Sequence, residues 1–261
     1  MVVTQVNYED QQTVVEDIDK ENILNEYRLA VISRECSILG RREALTGKAK
    51  FGIFGDGKEL PQLVLAKYFR NGDFRAGYYR DQTLMFAIDE LSVKEFFAQL
   101  YAHTDVNADP NSAGRQMNAH FSSRNINEDG SWKDLTAKKN TSPDISPTAG
   151  QMGRMVGLAQ ASKVYRNSEV LAKKSNFTEN GNEIVYGTIG DASTSEGIFW
   201  EAVNAAGVLQ VPMVLSVWDD GYGISVPKAY QTTKESISEV LKGFQRTEEQ
   251  EGFEIIKVKA W

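Results

Sequence analysis

The feature that most constrains the fold of this chain is a strand–helix–strand pattern between Ile184 and Asp220. Ile184-Val185-Tyr186-Gly187-Thr188-Ile189 is a short, β-branched apolar run, which predicts a buried parallel strand that delivers Asp191 to its carboxyl end. Ser193 and Glu196 have the S-x-x-E spacing of a capping box and predict a helix start there. Ile198, Phe199, Ala202, Val203 and Ala206 make one apolar stripe on that helix. Val211-Pro212 closes it, and Met213 to Trp218 predicts the next strand. Such a crossover sets the two strand ends side by side, so Asp191 and the Asp219-Asp220 pair meet at one point, faced by a helix N-terminus. The fold class that follows is α/β, a parallel sheet with helices on both faces.

That geometry suits an anion carried by a hard cation. Carboxylate and carbonyl oxygens suit Mg²⁺ or Ca²⁺, while amide groups at a helix N-terminus attract phosphate. Gly190, Gly221 and Gly223 let the backbone turn sharply beside a ligand. An ordinary strand–turn–helix with acidic turn residues accounts for either half alone; the two halves together favour a metal–diphosphate site. Gly55-Asp56-Gly57 repeats part of the pattern, but no acidic or amide pair follows at the required distance, and a turn before a helix at Leu60 explains it. Gly47-Lys48 lacks the rest of a P-loop, and Val226 stands where a dinucleotide fingerprint needs its third glycine.

The residues around Asp191 and Asp220 resemble the thiamin diphosphate motif. Their wording is closer still to the alpha subunit of the decarboxylating component of 2-oxo acid dehydrogenase complexes. The resemblance runs from about Ile23 to Pro227. It is carried by Gly77-Tyr78-Tyr79-Arg80-Asp81, by Gly114-Arg115-Gln116-Met117 with His120, by Ser146-Pro147-Thr148-Ala149-Gly150-Gln151 and by Asp220-Gly221-Tyr222-Gly223-Ile224-Ser225-Val226-Pro227. The Gly-Arg-Gln-Met wording is closer to the branched-chain (2-oxoisovalerate) enzymes than to the pyruvate enzymes. The resemblance implies a transketolase-like diphosphate-binding fold, with thiamin diphosphate and Mg²⁺ as cofactors. It implies Asp191, Asp220 and the carbonyl of Tyr222 as metal ligands, and Tyr79, Arg80 and the amides of Ala192 and Ser193 on the diphosphate. Ser146 and Thr148 lie along the middle of the cofactor, Gly190 and Ile224 complete the cofactor-binding set, and His120 is the candidate catalytic residue. The activity implied is oxidative decarboxylation of a 2-oxo acid with acyl transfer to a lipoyl group. The implied partners are a beta subunit or fused beta region and a lipoyl-bearing acyltransferase, in an oligomer. A pyruvate or acetoin substrate, or a cofactor-binding module inactive alone, are the alternatives.

Three residues depart from the family pattern. Asp220 replaces an Asn, so the metal faces two carboxylates. Trp218 stands where branched-chain relatives carry a basic diphosphate ligand, leaving Arg80 as the main positive charge. Ile145 replaces a potassium-ligating hydroxyl, which predicts no monovalent cation site. The family's His-rich loop has no counterpart, since His103 and His120 are the two histidines of the chain. The chain stops at Trp261 after Phe253 to Lys259, which reads as a buried strand, so the sequence is read as an incomplete alpha region. The family's catalytic Glu belongs to the beta part.

At 261 residues with 41% apolar content the chain can bury a full core. A net charge of −7 argues against nucleic-acid binding, and no long apolar run or signal-peptide pattern points to a membrane, so a cytoplasmic location is expected. Cys36 is alone and reads as a buried reduced thiol. Residues 1–20 read as a loose polar arm, and 21–261 as the cofactor-binding domain. Helices are predicted from Lys20 to Leu39 with Leu24, Tyr27, Val31 and Ile38 on one face, from Leu60 to Phe69, from Val93 to Tyr101 and from Met152 to Tyr165. In the last, Gly153 and Gly157 suggest close packing against a neighbour, for which a partner subunit is a candidate. Thr104 to Ala149 has no periodicity, and because it contains Arg115, His120 and Ser146 it reads as an ordered active-site loop.

Overall fold

The computed structural model describes residues 19–173 and 176–259. At its centre is a four-stranded parallel sheet in the order β2-β1-β3-β4, with β1 at Phe74–Ala76, β2 at Asn140–Thr141, β3 at Val185–Gly190 and β4 at Met213–Trp218. Val185 to Gly190 pair residue by residue with Met213 to Trp218, so Asp191 and Asp219 leave the sheet together. The chain passes from β1 to β2 on one side and then to β3 on the other, which puts the reversal of strand order between β1 and β3. Ligands of open α/β sheets bind outside the strand carboxyl ends at such a point.

Side chains alternate across β3, and each face is covered by helices. On one face Tyr186 joins a core with Cys36 of α1 (Lys20–Leu45), Leu84 and Phe86 of α3 (Gln82–Ala87) and Phe96 of α4 (Val93–Leu100). On the other, Val185 and Ile189 pack with Met152, Met155 and Val156 of α5 (Gln151–Arg166) and with Phe199 and Val203 of α6 (Gly197–Leu209). Gly187 has no room for a side chain because the Met155 thioether lies against it. The predicted α/β sheet covered on both faces is therefore present. α4 opens with the capping box of Ser92 and Glu95, and α2 spans Glu59–Tyr68.

Several expectations are corrected. α1 runs on to Leu45, and the face with Leu24, Tyr27, Val31 and Ile38 is exposed; the buried face is Ser33, Cys36, Ser37, Gly40 and Glu43. Small and polar residues win there because they let α1 approach α3, where Gln82 donates to the Ser33 carbonyl and to Ser37 Oγ, and Ser33 Oγ meets Thr83 Oγ1 at 2.7 Å. Residues 1–18 of the expected arm lie outside the described residues, and Asp19 and Lys20 form the start of α1, with the Asp19 carboxylate accepting from the Glu21 and Asn22 amides. Gly157 has open space before it and Gly153 touches Ile198 at no closer than 3.9 Å, so the close neighbour expected at these glycines is not another described part of this chain, which leaves the partner-subunit candidate. The segment from Phe253 is not a buried strand. Phe253 makes one bridge with Gln245, and Ile256 and Val258 are exposed because no strand among the described residues lies beside them.

Candidate functional site

All four strands end on the same edge of the sheet, and the turns that follow carry the candidate residues. β1 leads into Tyr78, Tyr79 and Arg80; β2 into Ser146 and Thr148; β3 into Asp191; β4 into Asp219 and Asp220. A buried charge network holds these turns together. Arg75 in β1 pairs with Asp81 at 2.8 Å and, through both terminal nitrogens, with Asp144 at 3.0 and 3.1 Å. It also donates to the Tyr78 carbonyl. Asp81 accepts from the Tyr78 amide, from the Thr188 hydroxyl of β3 and from the Trp218 indole of β4, while Asp144 accepts from the Phe121 amide. Gly77 must lack a side chain, because one would occupy the place of the Asp81 carboxylate and the Arg75 guanidinium. Burial pushes Asp144 up; burial alone would lower Arg75, but its two carboxylates keep it raised. Trp218, expected to matter as a missing base, braces this network.

Asp191 and Asp220 meet as predicted. The Asp191 carboxylate accepts from the Gly221 amide at 3.1 Å, and the turn at Gly223 lies against Ala192, where an added Cβ would come within 2.7 Å of the alanine methyl. Burial raises Asp191 above its ordinary value, with the charges of Asp220 and Asp219 adding to it and the Ala192 and Gly221 amides opposing. Asp220 goes the other way. Burial works against its charge, but a hydrogen bond and ion pair with Lys58 at 2.6 Å outweigh it, with Arg80 contributing. Lys58 was missed in the sequence. It directly follows Gly55-Asp56-Gly57, which is the turn expected before α2; Asp56 itself pairs with Arg41 at 2.6 Å, outside the site. Arg80 is therefore not the only cation beside the carboxylates.

Arg80 is half-buried, donates to the Phe54 carbonyl at 2.9 Å and lies 5.5 Å from the Tyr79 ring centre. The capping box expected of Ser193 and Glu196 does not form. Ala192–Ser195 is a single 3₁₀ turn, closed by the Thr194 hydroxyl on the Asp191 carbonyl, and α6 begins at Gly197. The dipole at Asp191 is thus that of one short turn rather than of α6. Within the predicted apolar stripe of α6, Phe199, Ala202, Val203 and Ala206 are buried, whereas Ile198 is exposed. Tyr222 is exposed and Ile224 fully so, and Ile224 is held at φ +58°, a strained conformation for a β-branched residue.

Whether the residues fit a metal–diphosphate group can be tested on the chain itself. The missing side chain of Gly190 leaves a cradle between Tyr78 Oη at 3.6 Å and Ser193 Oγ at 3.9 Å from the ideal Cβ position. Tyr78 Oη is buried with no hydrogen-bond partner among the described residues, and a buried hydroxyl without a partner is costly. No group of three or more His, Cys, Asp or Glu side chains that could hold a metal occurs among the described residues. Two carboxylates and backbone carbonyls suit Mg²⁺, which retains waters and takes phosphate oxygens as its remaining ligands. The donor set fits.

The long segment 104–149 is ordered by side chain–backbone bonds. Asn118 both donates to and accepts from Ile53, and Asp109 accepts from Ser112 and Gly114. It brings His120 and Ser146 together. His120 Nδ1 faces the Asn118 carbonyl at 3.2 Å, which only accepts, so Nδ1 carries a proton and, in the neutral ring, Nε2 accepts from the Ser146 hydroxyl at 3.0 Å. His120 is buried, while Ser146 and Thr148 are exposed. A cavity of about 280 Å³ opens beside the histidine, with Arg115 and Arg124 in its wall. His103 is exposed and stands apart from this pair.

A family profile described as "Dehydrogenase E1 component" matches residues 27–246. The chain is 28% identical over 200 residues to the 2-oxoisovalerate dehydrogenase subunit alpha of Bacillus subtilis (strain 168), covering 76% of this chain and 51% of that one. It is 25% identical over 227 residues to the pyruvate dehydrogenase E1 component subunit alpha of Acholeplasma laidlawii, covering 85% and 52%. With the human mitochondrial 2-oxoisovalerate dehydrogenase subunit alpha it shares 24% identity over 221 residues, covering 85% and 42%. The chain spans about half the length of these curated relatives. Four parallel strands that converge on paired carboxylates, together with a profile match over most of its length, give one conclusion: this chain belongs to the dehydrogenase E1 component family.

Proposed function

We propose that this chain is the diphosphate-binding alpha part of a thiamin diphosphate- and Mg²⁺-dependent enzyme that oxidatively decarboxylates a branched-chain 2-oxo acid. The observation that carries the reading is the meeting of Asp191 and Asp220 beside a glycine cradle and the Arg80 guanidinium. Thiamin diphosphate, when bound, supplies the electron sink for loss of CO₂. Asp191, Asp220 and the Tyr222 carbonyl would hold the metal. Arg80 and Tyr79 would face the diphosphate, Arg80 with a guanidinium fork suited to two phosphate oxygens. Gly190 gives the diphosphate room to approach, and the Ala192 and Ser193 amides lie at the same turn. Ser146, beside His120, and Thr148 would lie along the middle of the cofactor, and Ile224 offers an apolar side chain that its strained turn projects away from the protein.

His120 is the group that can hold a proton near the substrate. Its Nε2 lone pair faces the Ser146 hydroxyl, and the carbonyl at Nδ1 fixes that tautomer. Arg115 and Arg124 provide the counter-charge for a substrate carboxylate in the adjoining cavity. The remaining machinery is assigned to partners: a beta subunit or fused beta region that completes catalysis, and a lipoyl-bearing acyltransferase that accepts the acyl group. Exposed Leu24, Tyr27 and Val31 on α1 support association with a partner. No described helix is long and apolar enough to cross a membrane; a cytoplasmic site of action is part of the proposal. The pyruvate type is the second reading, supported by the similarity to the Acholeplasma laidlawii protein.

The test is calorimetric titration with thiamin diphosphate, with Mg²⁺ and again with EDTA, followed by a CO₂-release assay on 2-oxoisovalerate and pyruvate with an artificial electron acceptor. Metal-dependent binding is expected, with turnover only after a beta partner is added. Equal binding in EDTA would overturn the site, and robust turnover by the chain alone would overturn the division of labour.

A further inference from the structure

The turn carrying Lys58 is built to deliver one ammonium group to the carboxylate site. Gly57 adopts φ +91°, open to glycine at no cost, and its amide donates to the Glu59 carboxylate at 3.0 Å. Glu59 is fixed in turn by Arg34 through two bonds of 2.6 and 2.8 Å. The same turn is stitched to the one carrying Arg80: the Gly55 amide donates to Gln82, Gln62 donates to the Arg80 carbonyl, and Gly55 lies so close to that carbonyl that it admits no side chain. Lys58 and Arg80 are therefore held in one frame.

The Lys58 side chain is only 11% exposed and reaches Asp220, 162 positions away, at 2.6 Å. Lysine is the most strongly hydrated of the side-chain cations, and burying one costs free energy that a surface ion pair does not return. The other lysine near these turns, Lys228, meets Asp219 at 3.5 Å from a much more exposed position. An ammonium has three donor hydrogens, and Asp220 is the only partner of the Lys58 ammonium among the described residues. Two of those donors have no partner among the described residues and remain for a second set of oxygens.

We propose that Lys58 is an exchange cation of the diphosphate site: it neutralises Asp220 when no divalent metal is bound, and turns to phosphate oxygens when the metal takes that carboxylate. The inference rests on the proposed diphosphate reading. In this arrangement a second carboxylate at the metal does not add uncompensated negative charge beside the diphosphate, because Lys58 enters with the opposite sign. It also makes the two ligands interdependent. Without diphosphate, metal must compete with an ammonium for Asp220; with it, the displaced ammonium gains a partner.

The experiment compares the full chain with Lys58→Met, measuring Mn²⁺ alone by loss of its free EPR signal and thiamin diphosphate at saturating Mg²⁺ by calorimetry. Removal of the ammonium is expected to tighten Mn²⁺ binding and to weaken thiamin diphosphate binding about tenfold to a hundredfold, the range of a charge-assisted hydrogen bond. The opposed signs matter, since a variant that merely loosened the turn would weaken both. Lys58→Arg keeps the charge and should stay close to wild type for thiamin diphosphate, and Lys58→Gln serves the same comparison if the methionine variant does not fold. Parallel loss of both ligands, or no change in either, overturns the exchange role while leaving the diphosphate site intact. If wild type binds neither thiamin diphosphate nor inorganic pyrophosphate with Mg²⁺, the site reading itself fails and this inference falls with it.

Discussion

Replacing Arg75 with Met should cost more stability than any single change at the exposed end of the site. Arg75 makes four hydrogen bonds, three of them to the carboxylates of Asp81 and Asp144, and both carboxylates are almost completely buried. Methionine approximates its length but leaves two like charges facing each other in a poorly solvated interior. Breaking one buried pair typically costs ~3–5 kcal/mol, and here one cation serves two partners, so the upper part of that range is expected. At ~2–4 °C per kcal/mol for a domain of this size, the unfolding midpoint should fall by roughly 10 °C or more. The deficit should depend on pH. Burial already pushes Asp144 up in the wild type, and without Arg75 its folded value rises further above the unfolded value near ~4. A carboxyl raised on folding favours the folded state below its unfolded pKa and loses that advantage as pH rises through the folded value. The gap between variant and wild type should therefore widen from pH 4 to pH 7. Differential scanning calorimetry across that interval measures it. A constant gap, or a midpoint within about 2 °C of wild type at pH 7, roughly what 1 kcal/mol or less would give, would refute the charge argument.

Two further outcomes follow from the packing. Gly157→Ala in α5 should stabilise the isolated chain by ~0.5–1 kcal/mol, since the position is helical with open space before it; urea unfolding that shows a loss would mean that something unseen occupies that space. Cys36 is buried and its thiol is pushed up to about 11 by burial, so Ellman's reagent at pH 8 should react only after denaturant is added, and rapid labelling of the native chain would contradict its place in the α1 core.

The legible part of the molecule was the part written in sustained apolar segments. β3 and β4 show as unbroken apolar runs and α6 as a period-3.6 stripe, and parallel pairing of β3 with β4 then fixed the meeting of Asp191 with Asp220. β1 has three residues and β2 two, too few for any periodicity, and β2 sits within a segment whose order comes from Asn, Asp and Ser side chains bonding to backbone. α1 shows the opposite failure. Its apolar stripe was plain, but close approach to α3 at Ser33 and Ser37, and to Phe54 at Gly40, selected the other face and left the stripe in solvent.

The residues that could not be read were those whose role depends on a distant opposite charge. Arg75 resembles any strand arginine until β2 brings Asp144 beside it, 69 positions away, and Lys58 resembles a solvated turn lysine until the sheet places Asp220 over it. Charged residues are usually exposed, so a sequence offers no local signal for the few that are not. What a sequence does offer is constraint on their neighbours. Gly77 has no room for a side chain because Arg75 and Asp81 fill that space, and Gly55 has none because it backs directly onto Arg80. The Gly-Asp-Gly at 55–57 thus looked like a misplaced copy of the cofactor motif, yet its glycines serve the same site from the other side. Gly55 lets the turn back onto Arg80, Gly57 supplies its positive φ, and the next residue, a lysine, reaches Asp220, one of the two carboxylates that would face a metal.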